Sequence, residues 1–360
     1  MKCRSIGLTV AVVVLVAGCS ADPPRPTAAP LTPVTTTGLI PTGAPTEGTR
    51  PPADNLPPPA EPQNAPPPGP IPGRTVPVGT APEGIVVDAV TRAVAVATRS
   101  PNELVLIDAD TRAITGRTPL PGFVRHLQLA APGGPVLVPV ESANALVRVD
   151  LPGGRAEARI VTGTVPHDAA QASNGDVFVA NEHGGTVTVL RGDEVLKVFT
   201  DSVQPAGMAP VGLSMGMLDV RKNDLTVYDA ATLTIVGSTP AGEGPTHLVA
   251  DRHGRMIAAD TRGNAVRVFE PLPRPREIAS VPQVGGPYGI AYDPVRDRLW
   301  VASSGTNEVI GYDMADPTPR EVTRLPTVQN AYTLGVDAKT GRLFIAGTTA
   351  GVVQIVDPSA

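Results

Sequence analysis

The chain has 360 residues, a formal net charge of −5 and only 3% aromatic residues. That charge is too small for the basic footprint of a nucleic-acid binder or for an acidic disordered chain, and so few rings exclude base or sugar stacking as a main mode of binding. The two cysteines, Cys3 and Cys19, sit at the extreme N-terminus, so the rest of the chain has no disulfide, thiolate nucleophile or thiolate ligand.

Lys2 and Arg4 precede an apolar run from Ile6 to Ala17, which leads into Gly18-Cys19. A charged start and a short apolar run form a secretory signal, and the run is too short for a comfortable membrane span. Small residues directly before the cysteine and a proline-rich stretch directly after it resemble the lipobox of bacterial prolipoproteins. The resemblance implies a signal peptide over residues 1–18, lipidation of Cys19 with acyl chains such as palmitate, and anchoring on the extracytoplasmic side of the cell membrane. Two or three chains make a stable anchor, because each buried CH₂ contributes about 0.8 kcal/mol.

Eighteen of the 42 prolines lie between Ser20 and Pro72. That stretch has few aliphatic residues and no aromatic ones, so it buries too little surface to offset the entropy of ordering. A disordered linker is predicted over residues 19–73, reaching at most roughly 160 Å in polyproline II geometry.

From Pro82 onward a segment of about forty residues is written seven times, beginning near Pro82, Val124, Pro166, Pro205, Pro245, Pro287 and Ala331. A Pro/Gly turn leads into a first strand such as Gly289 to Tyr292, which ends in turn chemistry such as Asp293-Pro294. A second strand such as Val177-Phe178-Val179-Ala180 is apolar on both faces, as a sheet sandwiched between two others requires. An asparagine recurs at one offset (Asn102, Asn144, Asn223, Asn264, Asn307), where it is expected to start the third strand from a left-handed conformation. The fourth strand is more polar, as at an outer rim. The last copy stops after its third strand, and Arg74-Thr75-Val76-Pro77-Val78 resembles the missing fourth strand of another copy, Glu321 to Pro326. Joining the two ends closes a ring without open edges. The predicted fold is all-β, a seven-bladed β-propeller over residues 74–360.

The run Val94-Ala95-Val96-Ala97-Thr98 followed by Asn102-Glu103-Leu104-Val105-Leu106-Ile107-Asp108-Ala109-Asp110-Thr111 resembles the YVTN-type repeat of bacterial seven-bladed propellers. The resemblance covers about residues 74–360 and implies an extracytoplasmic binding or surface protein with no shared catalytic set. Asn181-Glu182-His183 and Met215-Gly216-Met217 depart from the pattern, which leaves the fourth blade the least defined.

In propellers the loops that enter the first strands open on the same face as those between second and third strands. The entering positions include Glu83, Arg125, His167, Tyr288 and Tyr332, with His126, Asp168 and His247 one residue later; the other loops add Glu141, Glu182, His183, Arg221 and Asp260. The candidate binding face is therefore Glu83, His126, His167, Glu182, His183, His247, Asp260, Tyr288 and Tyr332. Histidine with carboxylate is what a divalent metal site or a general acid–base pair needs. No P-loop, G-x-S-x-G elbow or H-E-x-x-H occurs, and Arg191-Gly192-Asp193 reads as a turn. The expectation is a monomeric lipoprotein that binds a small molecule or an envelope protein, and no nucleic acid, through this face. The alternative is a metal-dependent hydrolase or lyase of the lactonase-like kind, with His167, His247, Glu83 and Asp260 in that part.

Overall fold

Apolar runs too short for helices, separated by turns, become twenty-eight strands in a computed structural model that describes residues 55–358. The signal peptide, Cys19 and the linker up to residue 54 lie outside the described residues. The strands form seven four-stranded antiparallel sheets, the blades of a β-propeller. Six blades follow chain order. The seventh runs Ala331–Val336, Leu343–Gly347, Val352–Val356 and then Arg74–Pro77, so the N-terminal strand closes the ring as the sequence implied. In that junction Val76 pairs with Val353 and Pro77 with Val352.

Each blade buries both faces. The second strand of blade one, Ala93–Thr98, is buried at every position, whereas its fourth, Ile114–Pro119, is mostly exposed. The apolar core is split into seven clusters, one at each blade-to-blade interface. Phe178 and Val187 of blade three pack on Met208, Met215 and Tyr228 of blade four, and Phe344 and Val353 of blade seven pack on Val94 and Val96 of blade one. Blade six makes room for the single tryptophan at Gly311, where a Cβ would stand 2.8 Å from the Trp300 ring. Ion pairs also stitch neighbouring blades. Arg92 donates to Asp110 in its own blade and to Asp337 in blade seven, the latter at 2.6 Å.

Three expectations need correction. Four of the five asparagines take positive φ, but Asn102 does not, and Ser100 (φ 53°) turns the chain there instead. Blade four is regular, with strands of six or seven residues. The weak blade is the second, whose first and fourth strands, Gln128–Leu129 and Ile160–Val161, have two residues each. Pro132-Gly133-Gly134-Pro135 and Pro152-Gly153-Gly154 flank its strands, and proline has no N–H to give the ladder. Finally, the expected disorder of the linker does not extend to residues 55–72. These carry no strand, yet they lie along the propeller and bury Ala60 and Ala65.

Candidate functional site

A shared local device builds the site. Blades three to seven each carry a β-bulge where the first strand begins, between Pro166 and Asp168, Pro205 and Met208, Pro245 and His247, Pro287 and Ile290, and Ala331 and Thr333. A bulge inserts one residue and re-aims side chains, so consecutive residues such as His167 and Asp168 both serve the channel. At the next ring position, blades one, four and six have Gly84, Gly207 and Gly289. A Cβ on Gly207 or Gly289 would come within 2.9 or 2.7 Å of a neighbouring carbonyl oxygen. The room they leave lets the main chain of the next blade pack close against them.

His126 is the centre of a ring cluster, 4.4 Å between centroids from both His167 and His247. Tyr288 meets His247 edge-on at 4.4 Å and Tyr332 at 5.8 Å. The three imidazoles are 5–9% exposed. Burial, helped by the charge on His167, holds His247 down at about 3 and His126 well below the ordinary histidine range. Neither nitrogen of His247 has a protein partner among the described residues.

His167 behaves in the opposite way. Its Nδ1 lies 3.1 Å from Glu141 Oε1 and 3.3 Å from Glu182 Oε2. Burial alone would lower its pKa, but the Glu182 charge and the hydrogen bonds to both carboxylates push it up to about 10. Glu182 is correspondingly held at about 2 despite its burial, and it also accepts a bond from Gln204 Nε2 at 2.8 Å. Arg125 Nε approaches Glu141 Oε1 at 3.3 Å, and Arg99 pairs with Glu83, whose pKa burial raises in spite of that partner. Three acids of the propeller (Glu83, Glu141, Glu182) thus face three cations (Arg99, Arg125, His167), and Glu61 adds one more carboxylate at the edge, so the mouth is close to neutral with a slight negative excess.

Below the histidines the channel is a cavity of about 730 Å³, lined by Val87, Leu129, Met208, Leu248, Tyr292 and Leu334. Asp168 lies at its polar end, where it accepts from Gln128 Nε2 and from the Met208 and Ala169 N–H groups; burial still raises its pKa to about 6. Above the histidines the chain covers its own mouth. Pro59, Ala60 and Glu61 roof a space of about 20 Å³ over Arg125, His167, Glu182 and His247, and Glu61 and Asn64 edge a wider one of about 400 Å³ beside Glu83, Arg125, Tyr288 and Tyr332.

Of the nine candidate residues, Glu83, His126, His167, Glu182, His247, Tyr288 and Tyr332 converge. His183 is exposed and lines none of these spaces. Asp260 is fully buried in a structural role, accepting from the Glu243, Gly244 and Gly263 N–H groups and from Arg267. Glu141 and Arg125, visible as face positions but not singled out, belong to the centre. Gln204 and Glu61 carried no signal. Among the described residues, Glu141, His167 and Glu182 are the one trio whose ligand atoms lie within 4.8 Å of one another. The donor set fits a divalent ion, although His167 would have to give up a firmly held proton.

No protein-family model matches the sequence, and no curated protein matches it. Solved structures do resemble it. Hydrazine synthase of Kuenenia stuttgartiensis superimposes with a TM-score of 0.68 at 16% identity, over 78% of this chain and 96% of that one. Virginiamycin B lyase from Staphylococcus aureus gives 0.65 at 16% identity, over 80% and 99%. A chain of the mitotic checkpoint complex gives 0.70 at 10% identity, over 87% and 100%. Such distant and functionally unrelated likenesses establish the seven-bladed propeller fold and nothing finer.

Proposed function

We propose that this is a cell-envelope lipoprotein, anchored through Cys19 on the extracytoplasmic side of the membrane, whose propeller captures a ligand at the channel mouth. The apolar run ending in Gly18-Cys19 and the resemblance to YVTN-type bacterial propellers support the anchor and the compartment. The observation that carries the binding reading is the desolvated constellation of Arg125, Glu141, His167 and Glu182 beside Tyr288. Buried charges held in fixed geometry by one another are costly to assemble, and a preorganised polar mouth binds without further ordering. Its near-neutral balance suits a neutral or zwitterionic ligand rather than a strong anion or cation.

A second reading, a metal-dependent lyase, is favoured by the Glu141–His167–Glu182 trio together with the fold shared with virginiamycin B lyase. A thermal-shift screen of the full chain with small polar and zwitterionic compounds, with and without EDTA, separates the two. The binding reading expects a rise in Tm that survives chelation and is lost in Glu182→Gln. A stoichiometric metal in protein purified without chelator, with a Tm that falls on chelation, would replace it by the lyase reading.

A further inference from the structure

Residues 55–72 are half proline, so they cannot add to a sheet edge as a ladder strand. The propeller reads them another way, through side chains that reach their main chain. Arg221 Nη2 donates to the Leu56 carbonyl at 3.0 Å and Arg262 Nη2 to that of Pro58 at 2.6 Å. Gln329 Nε2 donates to the Ala65 carbonyl at 2.8 Å and Asn307 Nδ2 to that of Pro66 at 2.7 Å. Two of its N–H groups are taken as well, Gln63 by Ser304 Oγ at 2.9 Å and Ala65 by Asn330 Oδ1 at 3.4 Å. These partners come from blades four to seven: Leu56 meets blade four, Pro58 blade five, Gln63 blade six and Ala65 the entry to blade seven, while Pro66 returns to Asn307 of blade six.

Side chains are selected too. Ala60 is 8% exposed and Ala65 5%, whereas Pro57, Pro58, Glu61, Pro66 and Pro67 around them are exposed. Ala60 fits because the facing residue is Gly244, where a Cβ would stand 2.7 Å from the alanine methyl. Small anchors five residues apart, carbonyls read by long donors and an extended backbone are the features of a proline-rich peptide in a groove.

We infer that the mouth of the propeller is a groove for an extended proline-rich segment, that residues 55–68 occupy it in cis, and that this occupant exchanges with a peptide of the same chemistry. This rests on the channel face being the binding face and names what it holds. The link from residue 68 to the closing strand at Arg74 is short, so the effective concentration of the cis segment is on the order of millimolar, and it dominates until released. Because Pro59, Ala60 and Glu61 roof the His167–Glu182 pocket, release of the segment also opens that pocket.

The test uses the full chain and a fluorescent synthetic peptide with the sequence of residues 55–69. Ala60→Arg with Ala65→Arg ejects the cis segment without touching the propeller, and the peptide should bind this variant at least tenfold more tightly than wild type. Adding Arg262→Ala and Gln329→Ala should weaken that binding at least tenfold. In wild type, hydrogen exchange should show the Gln63 and Ala65 N–H groups protected. Failure of the peptide to bind the ejected variant, equal binding to wild type, or unprotected Gln63 and Ala65 would overturn the inference. A small-ligand thermal shift that persists in the ejected variant without peptide binding would sink the peptide groove alone; loss of both would sink the channel-face reading with it.

Discussion

His126 and His247 stack with their planes 26° apart, although they come from blades two and five and are separated in the ring by two blades. Two neutral imidazoles thus bridge the channel between its charged mouth and its apolar bore. The arrangement is costly in acid, because both rings would have to charge while buried against each other and against His167.

That cost has a sign. The pKa of His247 is about 3 when folded, against about 6.5 when unfolded, so between these values the unfolded chain takes up a proton that the folded one refuses. Its contribution to stability therefore falls as pH drops from 6.5 towards 3, by about 2 kcal/mol at pH 5. His247→Phe keeps the stacking area against His126 and Tyr288 and removes two nitrogens that have no protein partner among the described residues. Urea unfolding should find the variant at least as stable as wild type at pH 7.5 and about 2 kcal/mol more stable, relative to that baseline, at pH 5. An unchanged pH slope would show that His247 is not held neutral.

Closure gives a second prediction. Deleting residues 20–70 removes the segment over the mouth and should lower Tm by a few degrees, at about 2–4 °C per kcal/mol for a domain of this size class. Deleting residues 20–78 also removes the strand paired with Val352–Val356 and the fully buried Val78, whose N–H donates to Gly351 O. That exposes a sheet edge, so a far larger drop with aggregation is expected. Equal melting temperatures by calorimetry would refute closure by Arg74–Pro77.

The blades were legible because a repeat states its own period, and the missing fourth strand of the last copy pointed to its replacement. The rim of the site was legible only as a set of loop positions. Offsets along the chain place Glu83 and Asp260 on one face equally well, but only the turn taken by each carboxylate sends one into the pocket and the other into a backbone cradle. The covering segment was not legible at all. Composition describes what a proline-rich stretch can do for itself, and its order depends on donors such as Arg262 and Gln329, some two hundred or more residues away in the sequence.

Anchoring is tested at Cys19. Cys19→Ala removes the only thiol to which a lipid could be attached after cleavage, since the folded part has no cysteine. The variant should remain unprocessed or be released in soluble form, and mass spectrometry of the wild type should find an acylated Cys19 as the mature N-terminus. A mature N-terminus elsewhere, without acyl mass, would remove the membrane from the proposed function.

The ion pair at the mouth supplies the last prediction. His167 holds its proton up to about pH 10 when folded and to about 6.5 when unfolded, so the stability this brings is complete below pH 6.5 and is lost as pH rises through 10. The pKa of Glu182 is about 2 when folded, so its carboxylate is fully charged throughout that range. Glu182→Gln should cost on the order of 3 kcal/mol at pH 6, as expected when one partner of a buried pair is removed. The difference from wild type should shrink steadily between pH 7 and 10. A difference that does not change with pH would mean that His167 is neutral and its contacts ordinary hydrogen bonds. The same proton governs any metal bound by Glu141, His167 and Glu182, because zinc must displace it. A zinc-induced thermal shift at this site should therefore keep growing from pH 7 to 9, whereas ordinary exposed histidines are already neutral at pH 7.5 and would give a flat response.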